Sequence, residues 1–184
     1  MPTATKRRTT KGAGATRVRK PVVDRPNIPY GLRGPKEGMG LLPWSRVSER
    51  MRHSYIYWVA TTRKDGRPHS IPVWGVWLDE TCYFSNGALT ARNLARDPRV
   101  SVHLESGEDV VIIEGVVEIA TGKALIKRIN DAYSEKYLWK GTQDEWYALR
   151  PRIAFAWLCP SAGMGAESVY AGSATRWRWG GRSS

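Results

Sequence analysis

From Tyr55 onward apolar residues recur at every second position. Tyr55 to Thr62 (YIYWVATT) is rich in aromatic and β-branched residues, and residues 69–78 (HSIPVWGVWL) resume the pattern after Lys64-Asp65-Gly66-Arg67. The two runs and the turn between them predict a β-hairpin. In the second run both alternating sets are apolar: Ile71, Val73 and Trp77 on one face, Pro72, Trp74, Val76 and Leu78 on the other. A strand apolar on both faces must be covered on both. Pro72 cannot donate a ladder hydrogen bond, and Gly75 leaves room for a close approach. Together they predict an edge or bulged strand with a ligand or a subunit lying against it. Further strands are expected at Thr81 to Ser85, Arg99 to Glu105 and Asp109 to Ala120. Val100, Val102 and Leu104 point inward in the second of these, and Gly115 marks a bulge or barrel corner in the third.

Helical spacing then takes over. Leu125, Ile126, Ile129, Ala132, Tyr133 and Tyr137 form one stripe. Thr142 with Glu145 reads as a capping box opening a second helix that ends before Pro151. Arg152 to Cys159 and Glu167 to Ala171 are expected as strands, and the chain closes on the basic-aromatic alternation Thr175 to Trp179 (TRWRW). A short helix near Ser45 to Arg52 leads into the first strand, and another follows Ser85, with Ala88, Ala91, Leu94 and Ala95 inward. Six or more strands with hairpin connections and few helices make a mainly β (α+β) fold, a small antiparallel barrel. Residues 1–40 lack apolar periodicity and are expected as a disordered basic tail and lead-in. The folded domain is assigned to 41–180, and 181–184 to a short C-terminal tail.

Composition adjusts this picture in three places. The chain is 41% hydrophobic with nine tryptophans, which places it among folded proteins. Its aromatic share is dominated by Trp and Tyr, suited either to core packing or to half-exposed ligand and subunit surfaces. The net charge of +12 is uneven. Lys6, Arg7, Arg8, Lys11, Arg17, Arg19, Lys20 and Arg25 stand against Asp24 alone at the start of the chain. Such an arm is either a solvated tail or a contact for nucleic acid and other anionic surfaces. Cys82 and Cys159 show no metal-ligand or redox spacing and read as reduced thiols. No apolar run reaches membrane-span length and no secretory leader is evident, so a cytoplasmic protein is expected.

Candidate chemistry is sparse. His53, His69 and His103 are scattered, and neither HExxH nor GxSxG occurs. No metal set and no catalytic residue is assigned; an enzyme of this sequence would rely on a cofactor. The stretch SNGALTARNLARDP (residues 85–98) carries Ser85, Asn86 and Thr90 near a helix start and Arg92 one turn in. It is either an ordinary capped helix with a solvated face or an anion site, because free N–H groups, the dipole and a guanidinium all favour negative charge there.

Four segments in order, DGRPHSIPVWGVW, YFSNGALTARNLARDPRVSVH, VVIIEGVVE and ATRWRW, resemble the flavin- and deazaflavin-binding split β-barrel superfamily, over about Trp44 to Trp179. Its best-known member is pyridoxamine 5′-phosphate oxidase, and it includes an actinobacterial group dependent on coenzyme F-420. The resemblance implies a six-stranded split barrel of Greek-key-like topology and a homodimer with cofactor sites at the subunit interface. It places Ile71, Pro72, Val73 and Trp74 along the cofactor ring, and Ser85, Asn86, Thr90, Arg92 and Asn93 at its phosphate. Arg176 and Trp177 would approach from the partner chain. The sequence departs from the pyridoxamine phosphate oxidases: Ile71 and Val76 stand where those enzymes carry an arginine and a lysine, and their S-R-K element is reduced to Thr90-Ala91-Arg92. The deazaflavin branch is therefore favoured, with hydride transfer to a small organic acceptor. FMN dependence, or a non-catalytic flavin-, deazaflavin- or haem-binding role, is the alternative.

Overall fold

The computed structural model describes residues 20–26, 33–34, 36–85, 87–160 and 166–180; the basic segment 1–19, Asn86 and the closing 181–184 lie outside the described residues. In chain order these form β1 (Val22–Asp24), α1 (Trp44–His53), β2 (Tyr57–Thr62), β3 (Pro68–Val73), β4 (Gly75–Leu78), β5 (Thr81–Phe84), α2 (Ala88–Arg96), β6 (Arg99–His103), β7 (Asp109–Ile119), α3 (Lys123–Tyr137), β8 (Tyr147–Leu149), β9 (Ile153–Leu158), α4 (Ala166–Ser173) and β10 (Thr175–Arg178).

The expected antiparallel split barrel is present. Its wall comes from the six segments whose period of two marked them in the sequence, with β1, β8 and β10 added as short flanking strands. The main wing runs β1-β10-β9-β7-β6-β2-β3, and β4, β5 and β8 make a second wing. The wings share β7, which pairs with β9 as far as Glu114 and with β8 from Val117. Gly115 sits between these two partners. A Cβ there would lie 2.7 Å from the Arg150 carbonyl oxygen, so only glycine allows the corner. The second crossing between wings is at Trp74, where the single strand expected over residues 69–78 divides: β3 pairs with β2, and β4 with β5.

The barrel interior holds Val47, Met51, Tyr57, Val59, Phe84, Val102, Ile113, Leu149 and Trp177. The helical stripe foreseen for α3 covers the other face of the second wing, where Ile129 and Tyr133 meet Val76, Tyr83 and Trp146. Both faces of β4 are therefore covered, as its apolar alternation required. At the β4–β5 turn Asp79 and Glu80 adopt left-handed backbone (φ 48° and 57°), the geometry of a two-residue hairpin turn. Glutamate is uncommon in that region. Here its carboxylate accepts from Ser48 Oγ (2.9 Å) and Trp44 Nε1, which ties the turn to α1.

Two expected elements take the other form. Residues 142–149 hold no helix; Tyr147–Leu149 is β8, bonded to both β5 and β7. Eight residues provide too few internal bonds to offset helix nucleation, whereas a strand there fills an open position between two partners. Glu167 to Ala171 is part of helix α4. β9 is already flanked by β7 and β10, and β10 by β9 and β1, so neither neighbouring strand offers this segment an edge. A helix satisfies its own backbone.

Strand β1 falls within the stretch read as lead-in. Arg176 donates to Asp24 from Nε (2.8 Å) and Nη2 (2.9 Å), and Arg178 adds a third bond (2.6 Å). The two guanidiniums, Arg176 foremost, hold the Asp24 carboxyl below its ordinary 3.8. A carboxyl depressed by folding contributes stability that is complete above its ordinary value and lost as the pH falls through the lowered one. Acid below 3.8 should therefore weaken the β1 clamp, and Asp24→Asn should weaken it at neutral pH. Faster hydrogen exchange of the β1 backbone amides would report the release; an unchanged rate in Asp24→Asn would show that the clamp contributes nothing.

Candidate functional site

β3 ends the main wing as an edge strand bonded to β2 alone. Its other edge presents backbone N–H and C=O groups to whatever lies alongside. The alternation turns His69, Ile71 and Val73 inward and leaves Pro68, Ser70 and Pro72 exposed. Next to it, α2 begins behind an N-cap glycine, Gly87, which has no side chain to cap the first-turn N–H groups. Those donors and the helix dipole favour an anion.

The inner face of α2 holds Ala91 and Leu94 as expected, with Thr90 and Asn93 beside them in place of Ala88 and Ala95. Ala88 and Ala95 are exposed, while Thr90, Asn93 and Leu94 are buried. The layer beneath explains the rotation. Asn93 Nδ2 donates to Thr61 Oγ1 of β2 (3.0 Å), and Thr90 Oγ1 lies 3.3 Å from His69 Nε2 of β3. Buried polar side chains go where partners exist, and alanines offer none. Arg63 Nη2 approaches His69 Nδ1 at 3.4 Å. A guanidinium only donates, so Nδ1 accepts and the Nε2 proton of a neutral imidazole points to Thr90. Arg63 Nε is buried without a partner, so the cluster holds donor capacity that the described residues do not match. This fits an anionic group.

The predicted residues divide accordingly. Thr90 joins the cluster, Arg92 is exposed on the outer side of α2, and Ser85 is half-buried just before the helix. Ile71 packs against the barrel core, Val73 is buried within it, and Pro72 and Trp74 are exposed. Asn86 lies outside the described residues. Asn93 is buried, and its amide bonds Thr61 beneath α2. Trp177 is 1% exposed and lies in the barrel core. Arg176, on β10 at the far end of the wing from β3, is bonded to Asp24 of β1. The close approach expected at Gly75 is that of β5, with the Tyr83 carbonyl 2.6 Å from where its Cβ would be. Sequence reasoning missed His69 and Arg63. Stepping back by two from Val73 and Ile71 reaches His69, so the alternation itself carried the signal.

The site is thus a split barrel with an edge strand beside a helix start that no side chain caps. Residues 44–157 match the family model for pyridoxamine 5′-phosphate oxidase, and the chain belongs to that family. Among solved structures it is similar to a conserved hypothetical protein of Mycobacterium tuberculosis, at 24% identity over 67% of this chain and 92% of that one, with a TM-score of 0.57. It is also similar to an FAD-binding protein of Mesorhizobium loti, at 16% identity over 74% and 93%, with a TM-score of 0.52. At these identities the likeness bears on the fold alone. No curated protein sequence matches the chain.

Proposed function

We propose that this chain is an oxidoreductase that binds coenzyme F-420, a deazaflavin, and passes a hydride to a small organic acceptor. The observation that carries the reading is the placing of the Thr90–His69–Arg63 cluster and the open α2 start beside the free edge of β3. The reduced cofactor, when bound, supplies the hydride. The residues of this chain bind and orient: the Ser70 backbone groups and the Pro72 carbonyl, on the free edge of β3, face the ring's polar edge, and Arg63, Arg92 and the first-turn N–H groups of α2 hold the anionic tail. Pro72 and Trp74 flank the ring and exclude water, which with fixed orientation supplies the rate advantage. Because Gly87, Ala88, Pro72 and Arg92 are all exposed, the strip suits a long anionic tail lying across a surface.

The same reading makes the protein a homodimer. A row of outward side chains crosses the main wing by direct pairing, from Pro72 through Trp58, His103, Ile112 and Phe155 to Arg176. The middle of this row is apolar, and beside it α4 covers Trp157, where Tyr170 meets the ring edge-on at 5.9 Å. A second copy seated on the row about a two-fold axis would carry its β10 across to β3 and give the cofactor strip a second wall. Two unpaired cysteines suit the reducing cytoplasm.

Tryptophan quenching during titration with F-420 and with FMN tests the proposal. Saturation by F-420 supports it, preference for FMN moves the chain to the flavin branch, and no response to either overturns both. Binding without turnover over a panel of acceptors would make it a carrier. Arg92→Ala is expected to weaken cofactor binding by roughly 1.5–3 kcal/mol, the scale of a charge-assisted hydrogen bond. Equal affinity in the variant would return Arg92 to a solvated helix face.

A further inference from the structure

The second wing carries a cleft on the face that α3 packs against. There α3 meets Val76, Tyr83 and Ala120, and beside its start a cavity of about 420 Å³ opens between β7, β8 and residues 150–152. That volume falls within the range of small-ligand sites, and none of the residues assigned to the cofactor lines it. Its floor follows from strand pairing. Tyr83, Ala148 and Glu118 stand side by side on β5, β8 and β7, and the small central side chain leaves a notch between the outer two. Tyr83 is 3% exposed, borders the cleft, and makes no hydrogen bond through its hydroxyl among the described residues. A hydroxyl on so buried a side chain is rarely left unpaired. At the rim Arg150 and Arg152 flank Pro151 and both line the cavity. A residue before proline is held extended. The backbone here is pinned, since Arg152 N–H donates to the Glu114 carbonyl (2.9 Å) and its carbonyl accepts from Trp179 N–H (2.9 Å). Glu118 is the diagonal neighbour of Arg150 across β7 and β8. Even so, neither guanidinium nor the Glu118 carboxylate has an ion-pair partner among the described residues.

We propose that this cleft binds a small zwitterion carrying two acid groups and one ammonium, of which an acidic amino acid is the simplest. Arg150 and Arg152 against Glu118 leave the rim with a surplus of one positive charge, which a ligand of net charge −1 neutralises. Each guanidinium offers a planar fork to a carboxylate. Glu118 attracts the ammonium and repels a dicarboxylate that lacks one, while the two arginines repel a simple amine. At the floor the Tyr83 hydroxyl donates to a carboxylate oxygen and gains the partner that the chain does not provide. Val116 and Leu125 line the remaining wall and suit the ligand's methylene carbons.

Nuclear magnetic resonance titration of the isotope-labelled full chain with L-aspartate, succinate and putrescine tests this. L-Aspartate is expected to shift the amide signals of Tyr83, Ala148 and Glu118 saturably, and putrescine to leave them in place. Succinate, which lacks the ammonium, should bind at least about tenfold more weakly, the size of one lost charge-assisted hydrogen bond. Arg150→Gln should weaken L-aspartate by a similar factor, and Glu118→Gln should bring L-aspartate and succinate to about equal affinity. Both positions are exposed, so the variants keep the core intact. Tyr83→Phe, which removes the hydroxyl alone, should weaken L-aspartate as well. Absence of a saturable shift with L-aspartate, equal affinity for succinate in the unaltered chain, or unchanged affinity in Arg150→Gln overturns the proposal. A changed oligomeric state of Arg150→Gln in sedimentation would show that a second copy covers the cleft and would also overturn it. Since no flavin or deazaflavin is present, failure here is separate from failure of the F-420 and FMN titrations.

Discussion

Replacing Trp177 by alanine is expected to lower stability by about 3–5 kcal/mol, the usual cost of emptying a buried aromatic site. Trp177 is 1% exposed, pairs across β10 with Ala154 and Val23, and meets the Trp44 ring edge-on at 5.5 Å. A domain of this size has only about 5–15 kcal/mol in hand, so the guanidinium midpoint should fall sharply. The result separates two roles. A side chain reaching a cofactor in a partner subunit would lose affinity on truncation and leave the midpoint nearly unchanged. A core side chain does the reverse: the fraction that stays folded should bind cofactor almost normally. Arg176→Ala is the useful contrast, since it removes two of the three bonds to Asp24 and leaves the core filled.

Gly75→Val should be the second severe change. The added Cβ would stand 2.6 Å from the Tyr83 carbonyl oxygen and 3.3 Å from Phe84 Cβ and the Tyr57 ring, before the two further methyl groups are counted. Overpacking costs about 1–3 kcal/mol where side chains can shift. Here the nearest atom belongs to the paired strand, so the cost should reach or exceed the top of that range. The same residue also bonds Tyr137 through its N–H and Lys136 through its carbonyl, so the end of α3 would move with it. Thermal melting is the measurement. A normal melting temperature with selective loss of ligand binding would return Gly75 to the role of a clearance for the cofactor.

The two glycines show how the sequence is best read. Gly75 and Gly115 both interrupt apolar strands, which signals a close approach in each case. Whether the approaching group is a ligand or the chain's own backbone is settled by which strands become neighbours, and β5 and Arg150 are the neighbours here. His69 makes the same point for the site. Alone on a strand it is an ordinary histidine; with Thr90 on one ring nitrogen and Arg63 near the other it becomes part of a polar cluster beside the start of α2.

By itself the sequence determined the barrel strands, the α3 stripe and the place of helix α2. These rest on periodicity: apolar residues at every second position, or at helical spacing, leave one arrangement that buries them. Tertiary structure alone decided the short segments and the orientation of polar residues. Residues 147–149 became a strand because β5 and β7 left a gap for one, and residues 166–173 a helix because β9 and β10 beside them were already paired on both edges. The polar face of α2 turned inward because Thr61 and His69 lay beneath it. A few residues hold too little local free energy to choose their own conformation, and a hydrogen-bonding side chain takes its direction from a partner that the fold brings from elsewhere in the chain.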